Sequence, residues 1–338
     1  MSRVLVLGYL GLVSNWVDGQ TVKTRDLYRL AQEQIGKENV DYYDTEELRS
    51  NKLSIFTMLK KVARCDTLFY LPAQNNLAVF FPVIFLLSII SRVRIHYFVV
   101  GGWLREFLTH LPLHRVMLRK IAGIHAETLR LKKELEDFYR FKNVDTFPNF
   151  RFFEFNPIRS KSDKLRIVFM ARINKLKGLD WIFELAEYIA KNKLENKLCI
   201  TFYGPYYEGD KQYFDENVAK YSFVEYKGVL QPDVIHETLS HYDVMLLPTH
   251  YYTEGLPGSV VDAYIAGIPV IVSEWKHSHE FIDDNKSGFI VPFNEGQKQM
   301  IDKVMLLVKD RSLLYKMQNY ALEKRMMFAP PMLDKFLI

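Results

Sequence analysis

The sequence predicts an α/β fold of two doubly wound domains facing across a cleft. Short β-rich runs alternate with longer helical patterns, which implies parallel sheets. The alternation stops in the polar, proline-containing stretch "NPIRSKSDK" (156–164) and then restarts. The chain has 338 residues, 49% hydrophobic and 25% charged, enough material for two cores.

In the first half the runs "RVLVLGY" (3–9), "NVDYYD" (39–44), "DTLFYL" (66–71), "RIHYFVV" (94–100), "KIAGIHA" (120–126) and "VDTFP" (144–148) read as strands. In the second half the strands are "LRIVFM" (165–170), "KLCITFYG" (197–204), "FVEYKGV" (223–229), "DVMLLP" (243–248), "PVIVS" (269–273) and "GFIVP" (288–292). The domains are placed at 1–158 and 159–310, with a C-terminal helical segment, 311–338, able to cross back to the first domain. One long helix is expected over about 297–327, ending before "APP" (329–331), where the paired prolines break it.

The apolar run "LAVFFPVIFLLSII" (77–90) is too short to span a bilayer, which takes about 18 residues or more. Being apolar on all sides, it is expected as a buried helix, with an interfacial membrane contact as the alternative. Residues 51–133 carry 13 Lys/Arg against three acids, Asp66, Glu106 and Glu127, in a chain whose net charge is only +5. That block suits anionic lipid or a phosphorylated acceptor, or else solvated helix faces. No zinc-finger, homeodomain or RNP-like pattern accompanies it, so no nucleic-acid partner is expected. The two cysteines, Cys65 and Cys199, read as buried free thiols of a reducing compartment. The N-terminus reads as a first strand rather than a leader. A cytoplasmic location is expected, peripheral on the inner face of the plasma membrane if the basic block meets lipid.

Two constellations carry chemistry. In "MARINKLKGLDWIFELAEYIAK" (170–191), Arg172 and Lys177 leave the first strand of the second half just before a helix opening near Gly178, an arrangement that makes an anion site. A planar fork beside a mobile point charge suits a diphosphate; the alternative is cations in an exposed loop. In "TEGLPGSVVDAYIAGIPVIVS" (253–273), Glu254 falls in the loop after a strand and Asp262 within the following helix, which Gly267 and Pro269 end. "SVVD" (259–262) also matches a capping box, so Asp262 has a purely structural reading. His250, Tyr251 and Tyr252 form an aromatic cluster beside Glu254 that either lines a ligand pocket or is a surface loop. "HSH" (277–279) lacks the third ligand zinc requires.

Taken together, "R-x4-KG" followed by "E-G-x-P-x4-D-A-x-x-x-G-x-P-V-I" resembles glycosyltransferase family 4, of the GT-B fold with two Rossmann-like domains. The resemblance implies a retaining, metal-independent transfer with a nucleoside-diphosphate sugar as co-substrate and no other cofactor. It implies that Arg172 and Lys177 hold the diphosphate, Glu254 the sugar and Asp262 the ribose. Gly255, Leu256, Pro257 and Gly258 would approach the donor, with Gly204 at the end of the 197–204 strand in the same donor-binding set. The family's second acid is Glu, and here it is Asp262, one methylene shorter. In the first half, "GYLGLVSNWVDGQTVKTRDLYRLAQEQIG" (8–36) is similar to the family's glycine-bearing loop and helix, with Gly19 allowing close backbone approach. "TFPNF" (146–150) is similar to the Pro-Asn element ending the first domain. Where many members carry a histidine, this chain has Gly101 and Gly102. His96, five residues earlier, reads as a core histidine, and Trp103 reads as a core aromatic or an acceptor platform.

The function expected is transfer of a hexose, a UDP-sugar favoured, to a membrane-proximal lipid-linked or saccharide acceptor in surface polysaccharide assembly. The alternatives are a GT-B nucleotide-sugar epimerase and a non-catalytic subunit of a polysaccharide complex.

Overall fold

The structure, a computed structural model, describes residues 3–14, 18–159 and 162–336. The chain forms two compact units, Met1–Phe152 with Pro330–Ile338, and Phe153–Ala329.

In the first unit the strands are β1 (Val4–Gly8), β2 (Val40–Asp44), β3 (Thr67–Leu71), β4 (Arg94–Phe98), β5 (Gly123–Ala126) and β6 (Val144–Thr146). They make one parallel sheet in the order β2-β1-β3-β4-β5-β6. Every residue of β1 and β3 is buried, as expected for strands covered on both faces. Alternation along the strands sends Val4, Val6, Phe69 and Leu71 to one face, where the helix Gly19–Ile35 and the C-terminal Leu333 and Phe336 pack. Leu5, Leu7, Leu68 and Tyr70 go to the other, beneath the helices Ser54–Arg64, Gln74–Ser91, Leu104–Leu108, Pro112–Leu118 and Leu129–Tyr139.

The second unit holds β7 (Leu165–Met170), β8 (Leu198–Tyr203), β9 (Val224–Tyr226), β10 (Val244–Leu247), β11 (Val270–Ser273) and β12 (Gly288–Val291). These also form a parallel sheet, in the order β12-β11-β10-β7-β8-β9. The strand order reverses between β7 and β10, and in the first unit between β1 and β3. Loops leaving the carboxyl ends at such a reversal diverge to opposite faces and leave a crevice for a ligand.

Two expectations are corrected. The helix placed over 297–327 is two helices, Gln297–Lys309 and Arg311–Lys324. Asp310 between them leaves helical geometry at ψ 86° and accepts a hydrogen bond from the Leu313 N–H, capping the second. The 77–90 run is helical within Gln74–Ser91, but only one side of it is buried: Leu77, Phe81, Ile84 and Phe85 enter the core while Val79, Val83, Leu86, Ile89 and Ile90 are exposed. It lies in the outer layer of a doubly wound sheet, where a helix has core on one side only. Both cysteines are free; Cys65 is buried, and burial pushes its thiol up to about 12, whereas Cys199 is half-buried.

Candidate donor-binding site

The loop after β7 is shaped before it is charged. Asn174 caps a single turn, Lys175–Lys177, by accepting from the Leu176 N–H at 2.7 Å, and Gly178 then adopts φ +84°, the left-handed region that favours glycine. A β-carbon at Gly178 would lie 2.0 Å from the Pro248 carbonyl oxygen, so only glycine lets this loop close on the end of β10. The closure is stitched by the His250 N–H donating to the Leu176 carbonyl at 2.8 Å and the Thr249 hydroxyl to the same oxygen at 3.3 Å.

This closure brings two of the expected site residues together. Lys177 Nζ donates to Glu254 Oε2 at 2.5 Å, each side chain about one-fifth exposed. The Thr249 hydroxyl reaches the same carboxylate oxygen at 3.4 Å, and the Lys177 ammonium stands 5.3 Å from the centre of the Tyr251 ring. Thr249 is buried and is itself held by Ser273 at the end of β11, whose hydroxyl donates to the Thr249 carbonyl at 2.5 Å. Trp275 Nε1 donates to the Gly255 carbonyl at 3.2 Å, fixing the segment after Glu254. The carboxyl ends of β7, β10 and β11 therefore meet around one cation and one carboxylate, at the reversal in strand order.

The other expected residues lie on the loops after β7 and β8 and on the segment and helix after β10. Arg172 is exposed on the same loop as Lys177. Gly204 follows β8 with φ +136°, and a β-carbon there would lie 1.9 Å from the Ala171 carbonyl oxygen. Its bareness thus sets the path of the backbone that carries Arg172. Gly255, Leu256 and Pro257 are buried, Pro257 being the N-cap of the helix Gly258–Ile265. The N-cap is Pro257 and Ser259 is already helical, so "SVVD" does not sit at the helix start as a capping box. Asp262 lies in the second turn, 3% exposed, with its Oδ1 3.1 Å from His236 Nε2. His236 lies 26 residues upstream on the helix Ile235–Ser240, with no motif in the sequence to mark it. Asp180, equally unmarked in the sequence, pairs its carboxylate with His250 Nε2 at 2.8 Å. Burial pushes the Asp180 carboxyl up, and the bond and charge of His250 outweigh that, leaving it below the ordinary aspartate range.

Gly19 belongs to the first unit, at the carboxyl end of its reversal strand. It opens the helix Gly19–Ile35, with Asp18 and Thr21 forming a capping box, and nothing lies within 4 Å of where its β-carbon would be. The loop before it is held by residues without a motif. The Asp44 carboxylate accepts from the Leu10 and Leu12 N–H groups at 3.0 Å each, and Arg25 donates to the Leu10 and Gly11 carbonyls. Residues 15–17 of that loop lie outside the described residues.

His96 is buried on β4, its Nδ1 3.0 Å from Nε2 of His125 on β5. Burial lowers both, to about 4 and about 3 respectively. Trp103 is half-buried, donates to the Val100 carbonyl and packs edge-on against Phe107. His277 and His279 bond separate carboxylates, Glu280 and Glu274. Among the described residues no group of three or more His, Cys, Asp or Glu is placed to hold a metal ion. A cavity of about 630 Å³ lined by Arg3, Asp41, Lys60 and Arg64 opens at the amino-terminal ends of β1 and β2, the opposite edge of the sheet from its ligand crevice.

Two parallel six-stranded sheets, each with a strand-order reversal, make up the architecture of the GT-B fold class. The family model described as "Glycosyl transferases group 1" matches residues 150–324, just over half the chain, and the chain belongs to that family. Among curated proteins it is 25% identical over 195 residues to the poly(ribitol-phosphate) alpha-N-acetylglucosaminyltransferase of Staphylococcus aureus (strain COL), covering 56% of this chain and 38% of that protein. It is 27% identical over 146 residues to the amylovoran biosynthesis glycosyltransferase AmsK of Erwinia amylovora, covering 42% of this chain and 35% of that one. The matches thus span little more than a third of the length of these relatives. In fold it is similar to the crystal structure of Anabaena Alr3699/HepE in complex with UDP and glucose, with a TM-score of 0.75 and 13% identity over 98% of this chain and 96% of that chain.

Proposed function

We propose that this chain is a retaining glycosyltransferase of the family 4 type, moving a hexose from a nucleoside-diphosphate sugar to an acceptor hydroxyl during surface polysaccharide assembly. The observation that carries the reading is the Lys177–Glu254 contact at the carboxyl ends of β7 and β10. A cation within hydrogen-bond reach of a carboxylate, both partly exposed, is poised to exchange partners: Lys177 to a phosphate oxygen, Glu254 to a sugar hydroxyl. UDP is the favoured nucleotide, supported by the UDP and glucose of the structural neighbour.

In the proposed reaction the bond between the anomeric carbon and the phosphate oxygen breaks. The acceptor oxygen bonds to that carbon on the same face, and its proton passes to the departing phosphate. Negative charge grows on the diphosphate, and Arg172 and Lys177 offset it, so no metal is required in this scheme; a preorganised charge of this kind is typically worth 10²–10³-fold in turnover. Asp262, oriented by His236, binds the ribose. The acceptor is a lipid-linked or saccharide hydroxyl. Incubation with UDP-hexoses and lipid-linked saccharides, followed by mass spectrometry, tests the reading. A product heavier by one hexose supports it, whereas a converted sugar without transfer assigns an epimerase instead.

A further inference from the structure

We infer that the outer surface of the first unit's helical layer docks on an anionic lipid bilayer, with the 74–91 helix lying flat in the interface. Val79, Val83, Leu86 and Ile90 recur at intervals of four, three and four, which puts them in one stripe about 16 Å long. All four are exposed, Ile90 at 80%. The helix packs beside Ser54–Arg64 and Pro112–Leu118, and those neighbours extend the apolar surface with Phe56, Leu113 and Val116, also exposed. All three helices cover the same face of the sheet, so their outer sides share one surface.

The charges on these elements select the partner. Lys60 and Arg64 follow Phe56 at steps of four along the 54–64 helix, Arg92 ends the 74–91 helix, and Lys120 follows the 112–118 helix. All are exposed, and among the described residues no side-chain hydrogen bond or ion pair joins any of them to another residue. The two acids between residues 51 and 120, Asp66 and Glu106, lie within ion-pair distance of Arg3 and Arg105. Aliphatic side chains with uncompensated cations beside them match the acyl boundary and phosphate layer of an anionic membrane. A second copy of this chain would set like charges against one another. Spanning is also disfavoured, because Leu77, Phe81, Ile84 and Phe85 anchor the opposite side of the helix in the unit's core.

The inference rests on the proposed function in favouring the lipid-linked acceptor over the free saccharide, but it is read by lipid binding alone, without donor or transfer, so either can fail without the other. The experiment is co-sedimentation of the full chain with phosphatidylglycerol or phosphatidylcholine vesicles. Binding is expected to phosphatidylglycerol only, diminishing with salt, with the protein released by alkaline carbonate. The double substitution Leu86→Glu/Ile90→Glu should abolish pelleting, and Lys60→Glu/Arg64→Glu should weaken it about fivefold for each cation reversed. Unchanged thermal midpoints would show that both variants fold. Absence of binding to phosphatidylglycerol, equal binding by the variants, or resistance to carbonate would overturn the proposal. So would a lipid-free dimer that Leu86→Glu/Ile90→Glu dissociates, which would give this face to a second copy.

Discussion

Lys177 and Glu254 lie 77 residues apart in sequence and 2.5 Å apart in the fold, joined because Gly178 lets the loop after β7 rest on the Pro248 carbonyl. A partly exposed ion pair adds no more than about 1 kcal/mol to stability. Its value therefore lies in what it holds ready rather than in folding. Lys177→Ala should leave the thermal midpoint within a few degrees of wild type yet cut turnover roughly 10²–10³-fold, the usual loss when one preorganised charge is removed. Steady-state kinetics beside a thermal melt check this. Equal losses of stability and turnover would make the pair structural.

Glu254→Gln and Asp262→Asn should separate. The first is expected to lower kcat more than nucleotide affinity, since Glu254 is assigned to the sugar. The second should weaken nucleotide binding, and His236→Ala should reproduce part of that effect because it removes the partner 3.1 Å from Asp262 Oδ1. Titration calorimetry with the nucleotide alone distinguishes them.

Gly204→Ala tests the backbone beneath Arg172. At φ +136° with the Ala171 carbonyl 1.9 Å from the new methyl, either Gly204 or the 171–172 segment must move. A loss of roughly 1–3 kcal/mol is expected from the strained conformation, together with weaker nucleotide binding as Arg172 is displaced. Chemical denaturation measures the first and calorimetry the second; a variant indistinguishable from wild type would contradict the geometry.

The His96–His125 pair predicts an acid limit to stability. Both rings are neutral in the fold, with folded values near 4 and 3 against about 6.5 unfolded, so the unfolded chain binds more protons below pH 6.5. Their contribution is intact above that pH and is lost as pH falls toward 4 and then 3, at up to ~1.4 kcal/mol per pH unit for each ring. Thermal midpoints measured from pH 7 to pH 4 should fall, and less so in His125→Phe. A flat profile would contradict the burial of these rings.

All twelve strands were legible because each is a short β-rich run bounded by turn residues, and strands covered on both faces have no polar side to interrupt them. Lys177 and Glu254 were legible from their motifs. The break at Asp310 was not, since 297–309 and 311–324 continue one another in composition and only the cap interrupts them. Nor was the exposed side of the 74–91 helix: a run apolar all round carries no periodicity to show which side meets the core. His236 with Asp262, His125 with His96, and Asp44 with the loop of Leu10 are pairings made by sheet order and helix placement. Single side chains distant in sequence leave no local pattern.

The central claim is that the second unit binds a nucleoside diphosphate through Lys177. Thermal shift with UDP, GDP and ADP tests it directly, since a ligand at 100 times its dissociation constant adds about 2.7 kcal/mol. The account predicts stabilisation by UDP that Lys177→Ala removes at the same concentration while its own midpoint without ligand stays put. Stabilisation by none of the three nucleotides, or an equal shift in the variant, would contradict it.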